Sequence, residues 1–152
     1  MAGTPDGSRV LLDTVALVYF LERHPRYGPT AQEIFRRIAA NRLQALIASL
    51  VFAELLVPLQ RRQDRAAAEG LVDLLSNFHN LEVVGGSTAV MVEASRLRAL
   101  YGLRTPDAIH VATALLSGAD GILSNDKRLS RLSAEGLQLW FFDDLTLESS
   151  GT

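Results

Sequence analysis

Four acidic residues, Asp13, Glu54, Asp107 and Asp126, stand where a carboxylate needs a chemical reason. Asp13 closes the apolar run Val10-Leu11-Leu12, and a carboxylate there is costly without a partner or a cation. Asp126 ends a second such run, Ile122-Leu123-Ser124-Asn125-Asp126. Glu54 is the only charge between Leu50 and Val57, so it is either paired with an arginine or part of a site. Asp107 follows Thr105-Pro106 in the first turn of a helix, where the macrodipole favours negative charge. Each alone also has a plain structural use, as a helix cap for Asp13 and Asp126 and as a dipole partner for Asp107. His110 shares a helix face with Asp107 at i+3 and reads first as a packed or exposed histidine, with an indirect or RNA-contacting role as the alternative. His24 and His79 fall in turns and receive no assignment.

Taken together, the four acids define one chemistry. Carboxylates gathered into one pocket repel one another and raise each other's pKa unless cations neutralise them. Hard, oxygen-only donors select Mg2+ or Mn2+. The chain has no cysteine, which excludes thiolate zinc, iron–sulfur and disulfide chemistry. Bound Mg2+ or Mn2+ can activate a water and stabilise charge developing on a phosphodiester, the logic of two-metal nucleases. Acids scattered over the surface, or held by arginines, are the opposing expectation.

The elements that must position these acids alternate. Strands are expected at Arg9–Leu12, Leu43–Ala48, Leu81–Val84, Asp120–Leu123 and Leu137–Phe142. Helices are expected over Thr14–Arg23 with Thr14 as N-cap, Thr30–Ala40, from a Ser49 cap to about Leu59 with a kink at Pro58, and over Ala66–Phe78. Three more follow: one from a Ser87 cap to Tyr101 ended by Gly102, one opened by Thr105-Pro106 and ended at Gly118, and a short one over Asp126–Ser133. Such alternation argues for a parallel sheet covered on both faces, a three-layer α/β/α sandwich of four to five strands. Ligands of such sheets bind beyond the carboxyl ends of the strands, at the switch point in strand order. Asp13 and Asp126 both sit at carboxyl ends.

With 152 residues, 48% apolar and 21% charged, the chain is sized for one domain, with residues 1–8 a flexible lead-in and 146–152 a frayed tail. No run reaches the roughly 18–20 apolar residues that cross a bilayer, and no secretory signal is evident, so a cytoplasmic protein without a membrane partner is expected. The net charge of −2 is not the footprint of a simple nucleic-acid binder. If four of the 17 acids converge on metal, however, the remaining surface carries 15 basic against 13 acidic side chains. Local basic clusters (Arg36-Arg37, Arg61-Arg62 with Arg65, Arg96 with Arg98 and Arg104, Lys127-Arg128 with Arg131) can hold phosphates or serve simply as solvated helix faces.

The chain resembles PIN-domain proteins from Val10 to Leu145, and among them the VapC-type toxins of toxin–antitoxin pairs. Leu12-Asp13-Thr14 with Leu21-Glu22, Ala53-Glu54-Leu55 and Ser124-Asn125-Asp126 carry the resemblance, together with the stretch from Leu97-Arg98-Ala99 through Thr105-Pro106-Asp107-Ala108-Ile109-His110-Val111-Ala112-Thr113-Ala114. It implies a PIN-like fold and a Mg2+- or Mn2+-dependent endoribonuclease. Its four family acids map onto Asp13, Glu54, Asp107 and Asp126 as catalytic and metal-binding residues. Thr14, Ser124 and Asn125 are implied beside them, holding water or substrate; Ser124 replaces a frequent threonine and keeps the hydroxyl. A homodimer and a cognate VapB-like antitoxin are implied as well, and the apolar helix over Leu50–Leu59 either contributes to an antitoxin groove or is buried in the core.

Two other readings compete. A haloacid-dehalogenase-type phosphatase needs a second aspartate two residues after the first, and that position is Val15. A phosphoacceptor receiver domain needs paired acids at the end of its first strand, and Asp13 has no acidic neighbour. A PIN-like module used only for assembly would not need its acids intact.

Overall fold

Short runs rich in valine, isoleucine and leucine, bounded by polar residues or glycine, become strands because they bury both faces at once. The computed structural model describes residues 3–145. Its strands are β1 (Arg9–Leu12), β2 (Gln44–Ala48), β3 (Leu81–Val84), β4 (Gly121–Ser124) and β5 (Gln138–Phe141). They form one parallel sheet in the order β3-β2-β1-β4-β5. The helices are α1 (Thr14–Leu21), α2 (Gly28–Ala39), α3 (Leu50–Leu55), α4 (Val57–Arg61), α5 (Arg65–Ser76), α6 (Thr88–Tyr101) and α7 (Thr105–Leu116). A 3-10 helix, Lys127–Glu135, joins β4 to β5. The expected three-layer sandwich is the one the chain forms.

Alternation along the strands divides the core. Val10, Leu12, Ile47 and Leu123 face one side, against Leu17, Ile34, Phe35, Ile38 and Leu75. Leu11, Leu46 and Ile122 face the other, against Ala94, Leu97, Val111 and Ala112. Strand order reverses at β1: β2 lies on one side of it and β4 on the other, in the register Val10–Gly121, Leu11–Ile122, Leu12–Leu123. The crevice of the switch point therefore opens beyond Leu12 and Leu123, beside Asp13 and Ser124.

Gly121 shows how tightly that half of the sheet closes. A β-carbon at this position would lie 2.3 Å from the Gln138 carbonyl oxygen and 2.5 Å from the Trp140 ring. The carbonyl belongs to the neighbouring strand and cannot move aside without breaking the ladder. Gly121→Ala is expected to lose stability by about 1–3 kcal/mol or more, read as a lower urea midpoint.

Several local expectations are corrected. Thr14 does not cap α1; the Asp13 carboxylate does, accepting from the backbone N–H groups of Val15 and Ala16. Ser49 has helical backbone angles and makes no capping bond, because a cap needs extended geometry to turn its oxygen onto the first turn. Thr105 lies within α7 behind Arg104, again with no side-chain cap. Ser87 caps α6 through Val90 N–H, and Gly102 ends it in the left-handed conformation, as expected. The kink expected at Pro58 is a break into two short helices, with Pro58 in the first turn of α4, where its missing N–H costs nothing. Helix α7 ends at Leu116 rather than Gly118, and the element after β4 is 3-10 rather than α, with Asp126 outside it as the cap.

Residues 3–8, expected as a loose lead-in, are packed. Arg37 is only 5% exposed. Its guanidinium donates to the Thr4 hydroxyl, the Thr4 carbonyl and Asp6, each at 2.7 Å. Gly7 N–H donates to the Arg42 carbonyl. A buried guanidinium needs partners, and the polar segment supplies them to both terminal nitrogens, leaving Nε without one. At the other end, Leu145 is buried beside Gly3 and Asp144 is paired with Lys127, so order reaches past Asp144; the tail expected over 146–152 lies outside the described residues.

The hydrogen bond from Arg37 holds the Asp6 carboxyl below its usual range. A depressed folded-state pKa stabilises the fold above the unfolded-state value, and that stabilisation is lost as pH falls through the folded one. Asp6→Asn is therefore expected to lower the urea midpoint at neutral pH, with the difference from the parent vanishing in acid.

Candidate active site

At the switch point, elements far apart in the chain open onto one cavity of about 590 Å3. Asp13 enters from the end of β1, Glu54 from α3, Asp107 from the first turn of α7, and Asp126 from the turn after β4. Thr14, Ser124 and Asn125 line it with them, so every residue singled out in the sequence faces this space. Tyr19, Arg104 and His110 also line it.

Asp13 is the most enclosed of the acids. Its N–H donates to the Leu123 carbonyl, which extends the β1–β4 ladder by one residue and fixes the carboxylate at the crevice floor. Burial pushes its pKa up, against the opposing pull of the Ser124 hydroxyl, His110 and the backbone N–H groups of Ala16 and Val15. Asp13 makes no ion pair with a lysine or arginine among the described residues.

Glu54 is exposed and is held by neutral and imidazole groups rather than by arginine. The Thr14 hydroxyl donates to its Oε1 at 2.7 Å, and His110 Nε2 lies 3.5 Å from the same oxygen. His110 lowers the Glu54 pKa most; the Thr14 hydroxyl and the charge of Arg104 act in the same direction, against burial. Asp126 is held low chiefly by hydrogen bonds from Arg128, at 2.8 and 2.9 Å. Asp107 accepts from Arg104 Nε at 3.3 Å. Two of the four acids thus do have arginine partners. Both arginines are local, two or three residues away, and each side chain is 72% exposed, so water screens the pairs and releasing them costs little.

The donor set fits a hard divalent cation in chemistry. It is made of carboxylate and hydroxyl oxygens with no sulfur, and a partly buried carboxylate without a lysine or arginine partner among the described residues, Asp13, lines it. As the side chains stand, no three histidines or acids among the described residues converge on a single ion position.

His110 is the residue that sequence reasoning undervalued. Its i+3 spacing from Asp107 was visible, but its environment was not. Its side chain is 7% exposed, Nε2 lies 3.2 Å from the Thr14 hydroxyl, and Nδ1 is buried with no hydrogen-bond partner. An unsatisfied buried polar atom costs about 1–3 kcal/mol, more than the roughly 0.5–1.5 kcal/mol that one hydrogen bond returns. Stability alone does not account for an imidazole here. Asn125 was expected beside the acids and is fixed twice, donating to the Tyr19 hydroxyl at 3.3 Å and accepting from Asp143 N–H at 3.1 Å.

The segment over α3 and α4 carried two open expectations, a groove or the core, and α3 lies between them. Only Val51 is buried in it, and α4 buries no residue. Leu50, Phe52 and Leu55 are partly buried against the core, Val57 is exposed, and Leu56 and Gln60 line two further cavities of about 580 and 460 Å3. No helix among the described residues is long and apolar enough to cross a membrane.

Comparison with solved structures bears on the fold. VapBC2 from Rickettsia felis, bound to a DNA fragment from its promoter, is similar at 20% identity, covering 87% of this chain and 98% of that one with a TM-score of 0.67. VapBC-1 from nontypeable Haemophilus influenzae is similar at 15% identity, with coverage of 90% and 99% and a TM-score of 0.66. VapC20 from Mycobacterium tuberculosis, a toxin cleaving the sarcin-ricin loop, is similar at 19% identity, with coverage of 85% and 96% and a TM-score of 0.62. Among proteins of curated function, none matches this sequence. The sequence does match the PIN domain over residues 10–135, a span that begins one residue into β1, includes all four acids and ends with the 3-10 helix. By that match the chain belongs to the PIN domain family.

Proposed function

We propose that the chain is a Mg2+- or Mn2+-dependent endoribonuclease, the toxin of a toxin–antitoxin pair. The observation that carries this reading is the gathering of Asp13, Glu54, Asp107 and Asp126 from four separate elements onto one cavity at the switch point. A structural use of each acid alone gives no reason for them to face the same space. The partly buried Asp13 has the His110 imidazole near it but no lysine or arginine paired with it among the described residues, an arrangement that a divalent cation would complete.

Asp13, Asp107 and Asp126 would hold the metal, with Glu54 binding it or orienting water. When bound, the cation supplies an activated water and neutralises charge on the phosphodiester. The chain's own residues do the rest. Asp13 sets the position of the site relative to the sheet. The Ser124 hydroxyl donates to Asp13 and accepts from Asp126 N–H at 3.1 Å, tying the two carboxyl-terminal acids together. Asn125, Tyr19 and Thr14 form the polar wall against which a ribose and phosphate would rest. Arg104 and Arg128, once released from their acids, are placed to meet the phosphate backbone.

The toxin reading draws on the neighbours, several of which are toxin–antitoxin complexes. An antitoxin of VapB type would cover the exposed apolar surface of α3 and α4, and a homodimer is expected. The deciding experiment incubates the purified protein with RNA and Mg2+ or Mn2+ and follows endonucleolytic cleavage. Intact RNA under all metal conditions would refute the proposal.

A further inference from the structure

We infer that His110, acting through the Thr14 hydroxyl, positions the Glu54 carboxylate at the acidic cavity. This rests on the nuclease reading above and assigns the site a positioning residue outside its acids. The three side chains come from α7, α1 and α3 and meet at one carboxylate oxygen: His110 Nε2 lies 3.2 Å from Thr14 Oγ1, Thr14 Oγ1 lies 2.7 Å from Glu54 Oε1, and Nε2 itself lies 3.5 Å from that oxygen. Its direction follows from proton counting. An ionised carboxylate has no proton to give, so the single hydroxyl proton of Thr14 goes to Glu54. The hydroxyl oxygen must then accept from His110, and Nε2 carries the proton.

Glu54 is the acid that most needs this help. Its helix, α3, spans only Leu50–Leu55, with Val51 fully buried and Leu50, Phe52 and Leu55 partly buried against the core. A glutamate on a short surface helix has three rotatable bonds and open water around it, whereas His110 sits on α7 with Ile109, Val111 and Ala112 all buried. The hydroxyl bridge transfers that rigidity to the carboxylate. The orphaned Nδ1 fits the same role, since the ring is oriented for what Nε2 reaches rather than for its own satisfaction.

The test compares His110→Leu, His110→Gln, Thr14→Val and the double variant Thr14→Val/His110→Leu in the full chain. Mn2+ affinity is read by calorimetry and RNA cleavage in parallel. His110→Leu is expected to weaken Mn2+ binding and cleavage on the order of tenfold or more, with a melting temperature no lower than the parent's. His110→Gln, whose amide can donate from nearly the same place as Nε2, is expected to restore much of that loss. The double variant should lose less than the two single losses combined, because Thr14 and His110 act on the same Glu54 oxygen. Nitrogen-15 correlation spectra of the parent should show a proton on Nε2.

Parent-like Mn2+ affinity and cleavage in His110→Leu would overturn the inference, as would a glutamine variant as impaired as the leucine one, or a bare Nε2. Should the parent protein cleave no RNA, the nuclease reading fails by itself; Mn2+ affinities and the ring proton still decide the role of His110.

Discussion

Asp13→Asn is expected to reduce RNA cleavage by roughly 100- to 1,000-fold or more and to leave the fold intact or firmer. Asparagine keeps the side-chain oxygen that accepts from Val15 and Ala16, and asparagine and aspartate are equivalent as helix caps. What it removes is the charge. Burial raises the Asp13 pKa in the folded protein. A carboxyl whose folded-state pKa lies above its unfolded value opposes folding once ionised, and the opposition fades as pH falls through the folded value. In metal-free buffer the asparagine variant should therefore resist urea better than the parent at neutral pH, and the two should converge in acid. Asp13→Ala separates the two roles, losing the charge and also the cap, at about 1 kcal/mol. Undiminished cleavage by Asp13→Asn would remove the central residue from the proposed site.

Stripping the protein with EDTA is expected to abolish cleavage, and returning Mg2+ or Mn2+ to restore it. The same titration should be visible without any substrate. A ligand that binds only the folded state stabilises it by about 2.7 kcal/mol at one hundred times its dissociation constant. Part of that gain comes from neutralising Asp13, so the melting temperature should rise with Mn2+ in the parent and much less in Asp13→Asn. At Asp107 and Asp126 the cation competes with Arg104 and Arg128. Cleavage that persists in EDTA would point to metal-free hydrolysis and to a different assignment of the acids.

Much of the fold was legible because strand signals and site signals coincide. Val10-Leu11-Leu12 and Gly121-Ile122-Leu123 are short apolar runs, and the acids beyond them fall at carboxyl ends by counting alone. That β1 and β4 are neighbours is also what the switch-point rule requires. Local partners were less legible. Thr14 and Asp13 are both good capping residues; which one caps depends on which has extended backbone angles, and the other is then free to reach Glu54. The pairs Arg104–Asp107 and Arg128–Asp126 depend on rotamers, which spacing does not specify. His110 was visible, but its value lies in a missing partner at Nδ1, a property of the packed interior. Residues 3–8 look loose by composition because composition does not reveal that Arg37, thirty-three positions from Thr4, is buried and needs them. The apolar segment at Leu50–Leu59 reads equally as groove or as core by the same limitation, since hydropathy reports what a helix can bury and not whether anything covers it.

The strand order has a bearing on biosynthesis. Among the strands described, the central one leaves the ribosome first, yet its partner across the switch point arrives more than a hundred residues later: Arg9 and Asp120, which meet at the amino ends of β1 and β4, are 111 positions apart. Until β4 emerges, β1 has one open edge and Asp13 has no Asp126 opposite it. A nascent or prematurely terminated chain that lacks β4 therefore has an incomplete set of acids, and the proposed site is first assembled only after Asp126 has been made.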